Sequence, residues 1–337
     1  MGLESDWSSL SFFWPIAKKT SSLFSLLLIS IIKYQISNIK NQITSILSYF
    51  CPQKLSLFKH NFHTHSAYSD GKAEPEAYVK AAIAKGMYSL GFSEHAPLPF
   101  ENNFSVKDAD TLRKYVGEIS HLRDKYGQEL NIYAALEADY IPGVSLEFSK
   151  LNDDFGLDYI IGSVHLVKND DGRMWFIDGP DREVWKKGLE NLFDNDIRAA
   201  VTAYYEQIIE MIQTQKAEVI GHIDKIMMHN KNEFLNEEEP WYRDLVMQCL
   251  EAAKEYDSII EVNTRGLYKK RYHTFFPGRW ILIQMHKMNI PITLSSDAHA
   301  PEDVNTLLDE AEITVRQVGF REMWIMREDG WNAEPLD

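Results

Sequence analysis

The chain has 337 residues, of which 45% are hydrophobic, 25% charged and 12% aromatic, a balance that supplies a sizeable core and excludes wholesale disorder. Its net charge of −15 argues against a protein that coats nucleic acid, because affinity for a phosphate backbone comes from clustered Lys and Arg; a substrate carrying its own cation suits it better. The two cysteines, Cys51 and Cys249, form no Cys-x-x-Cys pair, so neither a disulfide framework nor thiolate zinc or redox chemistry is expected, which fits a reducing compartment.

Charge is unevenly spread: residues 1–59 carry a net +4 and the remainder −19. Within the basic part, the apolar run Ser21–Ile32 follows Lys18-Lys19 and has the character of a signal-peptide core, while being short for a membrane span. Lys33 follows at once without a clear small-x-small cleavage site. Residues 1–58 are therefore expected to be an N-terminal extension, disordered or signal/anchor-like, and residues 59–337 the catalytic domain. The expected location is cytoplasmic, with export or membrane association through residues 18–32 as the alternative.

From Lys59 onward, short β-rich runs at 59–63, 88–93, 131–136, 158–163, 217–221, 258–263 and 290–295 alternate with helix-like stretches at 74–86, 107–126, 197–215 and 240–256. Several of the latter begin near acidic or proline residues and end near glycine. Seven strands alternating with helices predict a parallel α/β sheet or barrel. Residues 166–196 interrupt the alternation with a long, turn-rich excursion, in which Trp175 and Phe176 either pack the excursion down or wall a pocket.

Nearly every residue able to bind a metal falls at the C-terminal end of a predicted strand, which in a β/α barrel is the catalytic face. The first strand ends in His63-Thr-His65, whose side chains, two apart on extended backbone, point the same way. Asp70 follows in Ser69-Asp70-Gly71. His95 ends the second strand, Glu137 the third, His165 the fourth and His222 the fifth, and Asp297-Ala-His299 ends the seventh. One such histidine alone is more often a satisfied hydrogen-bonding residue. Six imidazoles and three carboxylates together exceed the ligands of a single catalytic zinc, so two or three divalent ions are expected.

The run His63-Thr-His65-Ser66 through Ser69-Asp70-Gly71, then Ser93-Glu94-His95, Glu137, Gly162-Ser163-Val164-His165, Gly221-His222-Ile223-Asp224 and Ser296-Asp297-Ala298-His299, resembles the PHP (polymerase and histidinol phosphatase) superfamily, motif by motif and in order. Ala203-Tyr204-Tyr205-Glu206 and Glu261-Val262-Asn263-Thr264 leading into Arg265-Gly266-Leu267 make the chain most similar to the histidinol phosphatases of that superfamily. The resemblance implies a distorted seven-stranded (β/α) barrel with a trinuclear centre of zinc, iron or manganese. It implies that His63, His65, Glu137 and Asp297 hold one ion, that Glu137 bridges to a second held by His165 and His222, and that Asp70, His95 and His299 hold a third. Many members have a histidine near the position of Asp70, and the carboxylate there favours manganese or iron over zinc. The N-terminal extension is a further departure.

The expected reaction is hydrolysis of L-histidinol phosphate to L-histidinol and phosphate, with a metal-bound hydroxide as nucleophile and no covalent enzyme intermediate. Arg265 is the expected phosphate-orienting cation, with a surface arginine as the plainer reading. Lys225, His229, Lys269, Lys270 and Arg279 are weaker candidates, most of them expected to be solvated. Asp297 or a metal-bound water is expected to protonate the leaving group, and the sequence does not rank the two. Glu94 is expected either to pair with a substrate cation or to orient a ligand histidine. Rival readings are a PHP nucleotide phosphatase or exonuclease, which would need a basic, aromatic-lined groove; a degenerate PHP binding module, which would need broken ligand positions; and an amidohydrolase-like enzyme, which would use a bridge other than Glu137.

Overall fold

A computed structural model describes residues 59–336; the N-terminal extension and its apolar run lie outside the described residues. All seven expected strands form: β1 (His60–Asn61), β2 (Ser89–His95), β3 (Asn131–Asp139), β4 (Tyr159–Ser163), and, after a hairpin of β5 (Leu166–Lys168) and β6 (Met174–Phe176), β7 (Val219–Ile220), β8 (Ile259–Asn263) and β9 (Ile292–Ser295). They make one parallel sheet in the order β1-β2-β3-β4-β7-β8-β9. The sheet nearly closes into a barrel: Thr64 bridges Ala298, with the His65 N–H donating to the Ala298 carbonyl at 2.8 Å and the Ala298 N–H to the His63 carbonyl at 3.1 Å. Every residue of β2 and all but the first of β3 are buried, as strands covered on both faces must be.

Helices α1 (Pro75–Ala84), α2 (Ala109–Tyr126), α3 (Phe148–Phe155), α4 (Arg182–Phe193), α5 (Ile197–Gln215), α6 (Pro240–Glu255), α7 (Arg265–Tyr268), α8 (Arg279–Met288) and α9 (Leu308–Val318) accompany the strands. Their starts are written locally. Pro75 and Pro240 occupy the first helical turn, where the missing N–H costs nothing. Asp108 and Asp196 cap α2 and α5 by accepting the N–H groups of Thr111 at 2.8 Å and Ala199 at 3.0 Å. The Tyr115 hydroxyl then ties α2 to the barrel by hydrogen bonding to the carbonyls of Phe92 and Ala135, both at 2.8 Å.

Two features differ from the sequence reading. The excursion at 166–196 is not an irregular loop but the β5–β6 hairpin followed by α4, whose Trp185 packs on Trp175 with ring centroids 4.8 Å apart. Beyond Ser295 the chain adds α9 and an antiparallel hairpin, β10 (Glu322–Arg327) and β11 (Gly330–Pro335). Trp331 of β11 packs edge-on against Phe62 and Tyr159, at 5.1 and 5.3 Å. Tyr159 in turn donates to the Phe62 carbonyl at 2.6 Å, a path that a side chain at Gly91 would obstruct, since a Cβ there would stand 1.8 Å from the Tyr159 oxygen.

Candidate metal centre

Because parallel strands deliver their C-terminal ends to one rim, residues distant in sequence converge there. Glu137 is central. One of its oxygens lies 3.3, 3.4 and 3.2 Å from nitrogens of His63, His65 and His95; the other lies 2.9 Å from His222 Nε2 and 3.4 Å from His165 Nε2. A carboxylate so placed faces two imidazole groups at once. Asp297 Oδ1 approaches His63 and His65 at 3.9 and 3.6 Å and His299 at 3.3 Å. Asp70 Oδ1 meets His299 Nε2 at 3.2 Å, with His65 and His95 at 3.9 and 3.8 Å. All nine residues expected from the sequence are thus brought together. Eight are buried, while the Asp70 side chain is 30% exposed, which makes its side one where the cluster reaches solvent.

The donor set fits metal ions on its own chemistry. His63 and His65 point Nε2 at each other at 3.0 Å, as do His165 and His222 at 3.2 Å. His65 Nδ1, His222 Nδ1 and Asp297 Oδ1 are buried with no hydrogen-bond partner, a cost that bound cations would remove. Among the described residues, four groups of donors lie close enough to hold an ion: His63-His65-Glu137, Glu137-His165-His222, His65-Asp70-His95-His299, and His95-Asp139-His165. The fourth includes a carboxylate that the sequence reading did not single out.

That carboxylate also orients a histidine. Asp139 accepts the backbone N–H of His165 at 2.7 Å and its Nδ1–H at 3.1 Å, leaving Nε2 to face inward. Glu261 does the same for His63, accepting Nδ1–H at 2.5 Å, and it also accepts the N–H of His222 at 3.0 Å. Such outer partners fix which nitrogen is free to bind. A third residue missed from the sequence, Asp178, comes from the turn after β6; its Oδ1 pairs with Lys225 Nζ at 2.9 Å and its Oδ2 lies 3.9 Å from His165 Nε2.

Electrostatics divides the cluster. Burial alone depresses the pKa of His165, but Asp139, Glu137 and Asp178 outweigh it and raise it to about 9. His63 is raised well above its usual value because Glu261, Glu137 and Asp297 likewise overcome burial. His65 is driven well below its usual value by burial and by the neighbouring His299 and His95. Burial pushes Asp297 up, yet Arg265, His63 and His299 prevail and hold it well below the usual carboxylate range. Asp297 and His222 also hold positive φ, 49° and 20°, in a backbone region that is costly away from glycine and that gathers at functional sites.

Several expectations need correction. Glu94 is not available to a substrate cation: it is fully buried and accepts from the backbone N–H of Ser66 at 2.9 Å and from the hydroxyls of Ser66 and Ser69. It fastens the loop that presents Asp70, and burial raises its pKa to about 7. Arg265 is no surface arginine; it is 8% exposed, and its Nη1 donates to the Asp297 carbonyl at 2.9 Å beside His299 Nδ1. Of the five weaker candidates, most of them expected to be solvated, Lys225 and His229 are buried. Lys269 pairs with Asp303 at 2.7 Å, while Lys270 and Arg279 are exposed. Asp297, held ionised, is unsuited to donate a proton to a leaving group.

A cleft of about 810 Å³ lined by His60, Tyr88, Asn131, Tyr133 and Arg327 lies at the N-terminal ends of β1 to β3 and contains none of these ligands. No helix among the described residues is long and apolar enough to cross a membrane.

Comparison with known proteins agrees with this geometry. A sequence model of the PHP domain family matches residues 61–265. A Schizosaccharomyces pombe protein named "Probable histidinol-phosphatase" is 31% identical over 259 residues, 72% of this chain and 81% of its own length. The Bacillus subtilis histidinol-phosphatase is 30% identical over 241 residues, covering 67% of this chain and 87% of its own. Among solved structures, the Lactococcus lactis histidinol phosphate phosphatase, crystallised with zinc, L-histidinol and phosphate, superposes with a TM-score of 0.62 at 21% identity, over 81% of this chain and 98% of its own. A Listeria monocytogenes structure named "putative histidinol phosphatase" gives 0.64 at 22% identity, over 74% and 98%. At those identities the structures establish the barrel, and the match over more than half of the sequence establishes the family: the chain belongs to the PHP domain family, as one of its phosphatases.

Proposed function

We propose that the chain hydrolyses L-histidinol phosphate to L-histidinol and phosphate at a centre of two or three divalent ions, of zinc, manganese or iron, and that residues 59–337 are the catalytic domain to which 1–58 form an extension. The observation that carries this reading is Glu137, one carboxylate facing His63, His65 and His95 with one oxygen and His165 and His222 with the other. His63, His65, Glu137 and Asp297 would hold one ion, Glu137, His165 and His222 a second, and Asp70, His95 and His299 a third. Such ions, when bound, supply Lewis acidity toward phosphoryl oxygens and acidify water.

The chain's own residues provide the rest. Arg265 and Lys225, both buried at the rim, are cations already stripped of solvent and held by Asp297 and Asp178; they orient the phosphoryl group and offset its charge. The Ser66 hydroxyl donates to Glu94 and the Ser163 hydroxyl to Glu137 at 2.7 Å, so both serve to hold carboxylates in place. In this reading the nucleophile is water, acidified where ions are bound, and no covalent intermediate forms. Asp139 and Glu261 keep the Nε2 atoms of His165 and His63 turned inward.

The reading is tested by steady-state phosphate release from L-histidinol phosphate beside a nucleoside 5′-monophosphate and a short oligonucleotide, with His63→Ala as control. Preferential turnover of histidinol phosphate, abolished in the control, is expected; turnover of only the nucleotide substrates would refute the substrate assignment. Asp139→Asn is expected to weaken metal affinity about 10- to 100-fold, because it leaves His165 without its carboxylate. Competition with a chelator measures it, and an unchanged affinity would remove Asp139 from the supporting shell.

A further inference from the structure

We infer that Phe104 and Phe176 form an aromatic shelf at the edge of the metal cluster that receives a flat ring carried by the alcohol portion of the substrate, so that the site selects phosphate esters with a planar heteroaromatic group a short linker away from phosphorus. This rests on the phosphatase reading and sharpens it.

The two phenylalanines lie 72 positions apart and reach the same edge by independent means. Phe104 sits in the connection between β2 and α2. There the Asn102 side chain accepts the N–H groups of Phe104 and Ser105 at 3.1 and 2.8 Å and donates to the Phe100 carbonyl at 3.1 Å, fixing the turn. The fully buried Val106 returns the loop to the barrel, its N–H bonding to the His95 carbonyl at 3.0 Å. Phe176 ends β6. Strand alternation buries Trp175 at 2% exposure and turns Phe176 outward at 37%, and the next residue, buried Ile177, donates to the His165 carbonyl at 2.9 Å.

Both segments are thus fastened to the backbone of candidate ligands, His95 and His165, whose own rings lie 5.2 Å apart. The Phe104 and Phe176 rings stack nearly parallel, with centroids 5.3 Å apart and 12° between planes, and Phe104 meets the His95 ring edge-on at 5.3 Å. A half-exposed aromatic pair touching a buried polar cluster leaves apolar surface open at the mouth of a site otherwise built of imidazoles and carboxylates. A planar ring is the partner that recovers most from such a surface, by offset stacking or edge contact.

The test uses the full chain with its metals, comparing the wild type with Phe104→Leu, Phe176→Leu and the double variant; leucine keeps apolar bulk, and unchanged metal content verifies an intact cluster. The double variant is expected to raise KM for L-histidinol phosphate about tenfold, the scale of one aromatic pairing, with kcat little changed and kcat/KM for the ring-free ester O-phosphoethanolamine within about twofold. Equal losses on both esters, or none on histidinol phosphate, would overturn the shelf. Calorimetric binding of L-histidinol tests it without turnover: binding weakened in the double variant supports the shelf even if the wild type hydrolyses neither ester. A double variant with unchanged KM for L-histidinol phosphate and unchanged binding of L-histidinol overturns the shelf and leaves the histidinol phosphate reading intact, whereas a wild type that cleaves the ring-free ester without binding L-histidinol refutes both.

Discussion

Glu137→Gln is expected to lower phosphate release by about three orders of magnitude, the scale on which losing a central electrostatic group acts, and to reduce the number of ions bound. The substitution keeps the shape of the side chain and an oxygen able to accept the hydrogen bond from Ser163. It removes the negative charge shared between the His63-His65-His95 side and the His165-His222 side. An amide offers one oxygen and one NH2 group, so only one side keeps an acceptor and the other meets a donor. Activity and metal content measured on the same preparation should fall together. A variant that keeps full metal content and activity would show that Glu137 is a structural carboxylate rather than the bridge.

Removing the metals is expected to make stability pH-dependent in a window where the loaded protein is indifferent. In the metal-free fold His165 holds its proton up to a pKa of about 9, against 6.5 for an unperturbed imidazole. A raised histidine pKa contributes stability in full below 6.5, and that contribution is lost as pH rises through 9. The limit is on the order of 3 kcal/mol by linkage. His63, raised in the same direction, adds to the slope. His65, His222 and His299 are lowered, so their effect is complete once pH exceeds 6.5 and they add nothing beyond it. Glu94, raised to about 7, acts mainly between 4.5 and 7. Chelator-stripped protein should therefore lose several degrees of melting temperature between pH 6.5 and 9, about 2–4 °C for each kcal/mol in a chain of this size. The loaded protein, in which ions occupy the imidazoles in place of protons, should not. Parallel melting curves for the two forms would contradict the arrangement.

The barrel was legible because its strands are short apolar runs separated by capped helices, and each strand end carries the residue that matters. His63 with His65, and Asp297 with His299, announce themselves by a spacing of two. The same spacing separates Glu137 from Asp139, a signal present in the sequence and overlooked. Glu261 had its own sign, a charged residue inside the buried apolar run Ile259–Asn263, where only a partnered carboxylate is tolerated. Asp178 had none: it comes from a turn whose position depends on the β5–β6 hairpin and α4, elements that look irregular in sequence. Strand alternation also bore on Glu94, which neighbours His95 and so faces the other way; the structure places it against Ser66 and Ser69. The β10–β11 hairpin was missed because β11 is mostly half-exposed and carries little of the apolar run that marks a strand.

The most direct test of the account is the metal content of the purified full-length chain, measured by mass spectrometry of the elements against protein concentration. Two or three zinc, manganese or iron ions per chain, falling in His63→Ala and Glu137→Gln, is the predicted result. A chain that binds fewer than one ion after reconstitution with each of these metals, yet is folded, would contradict it.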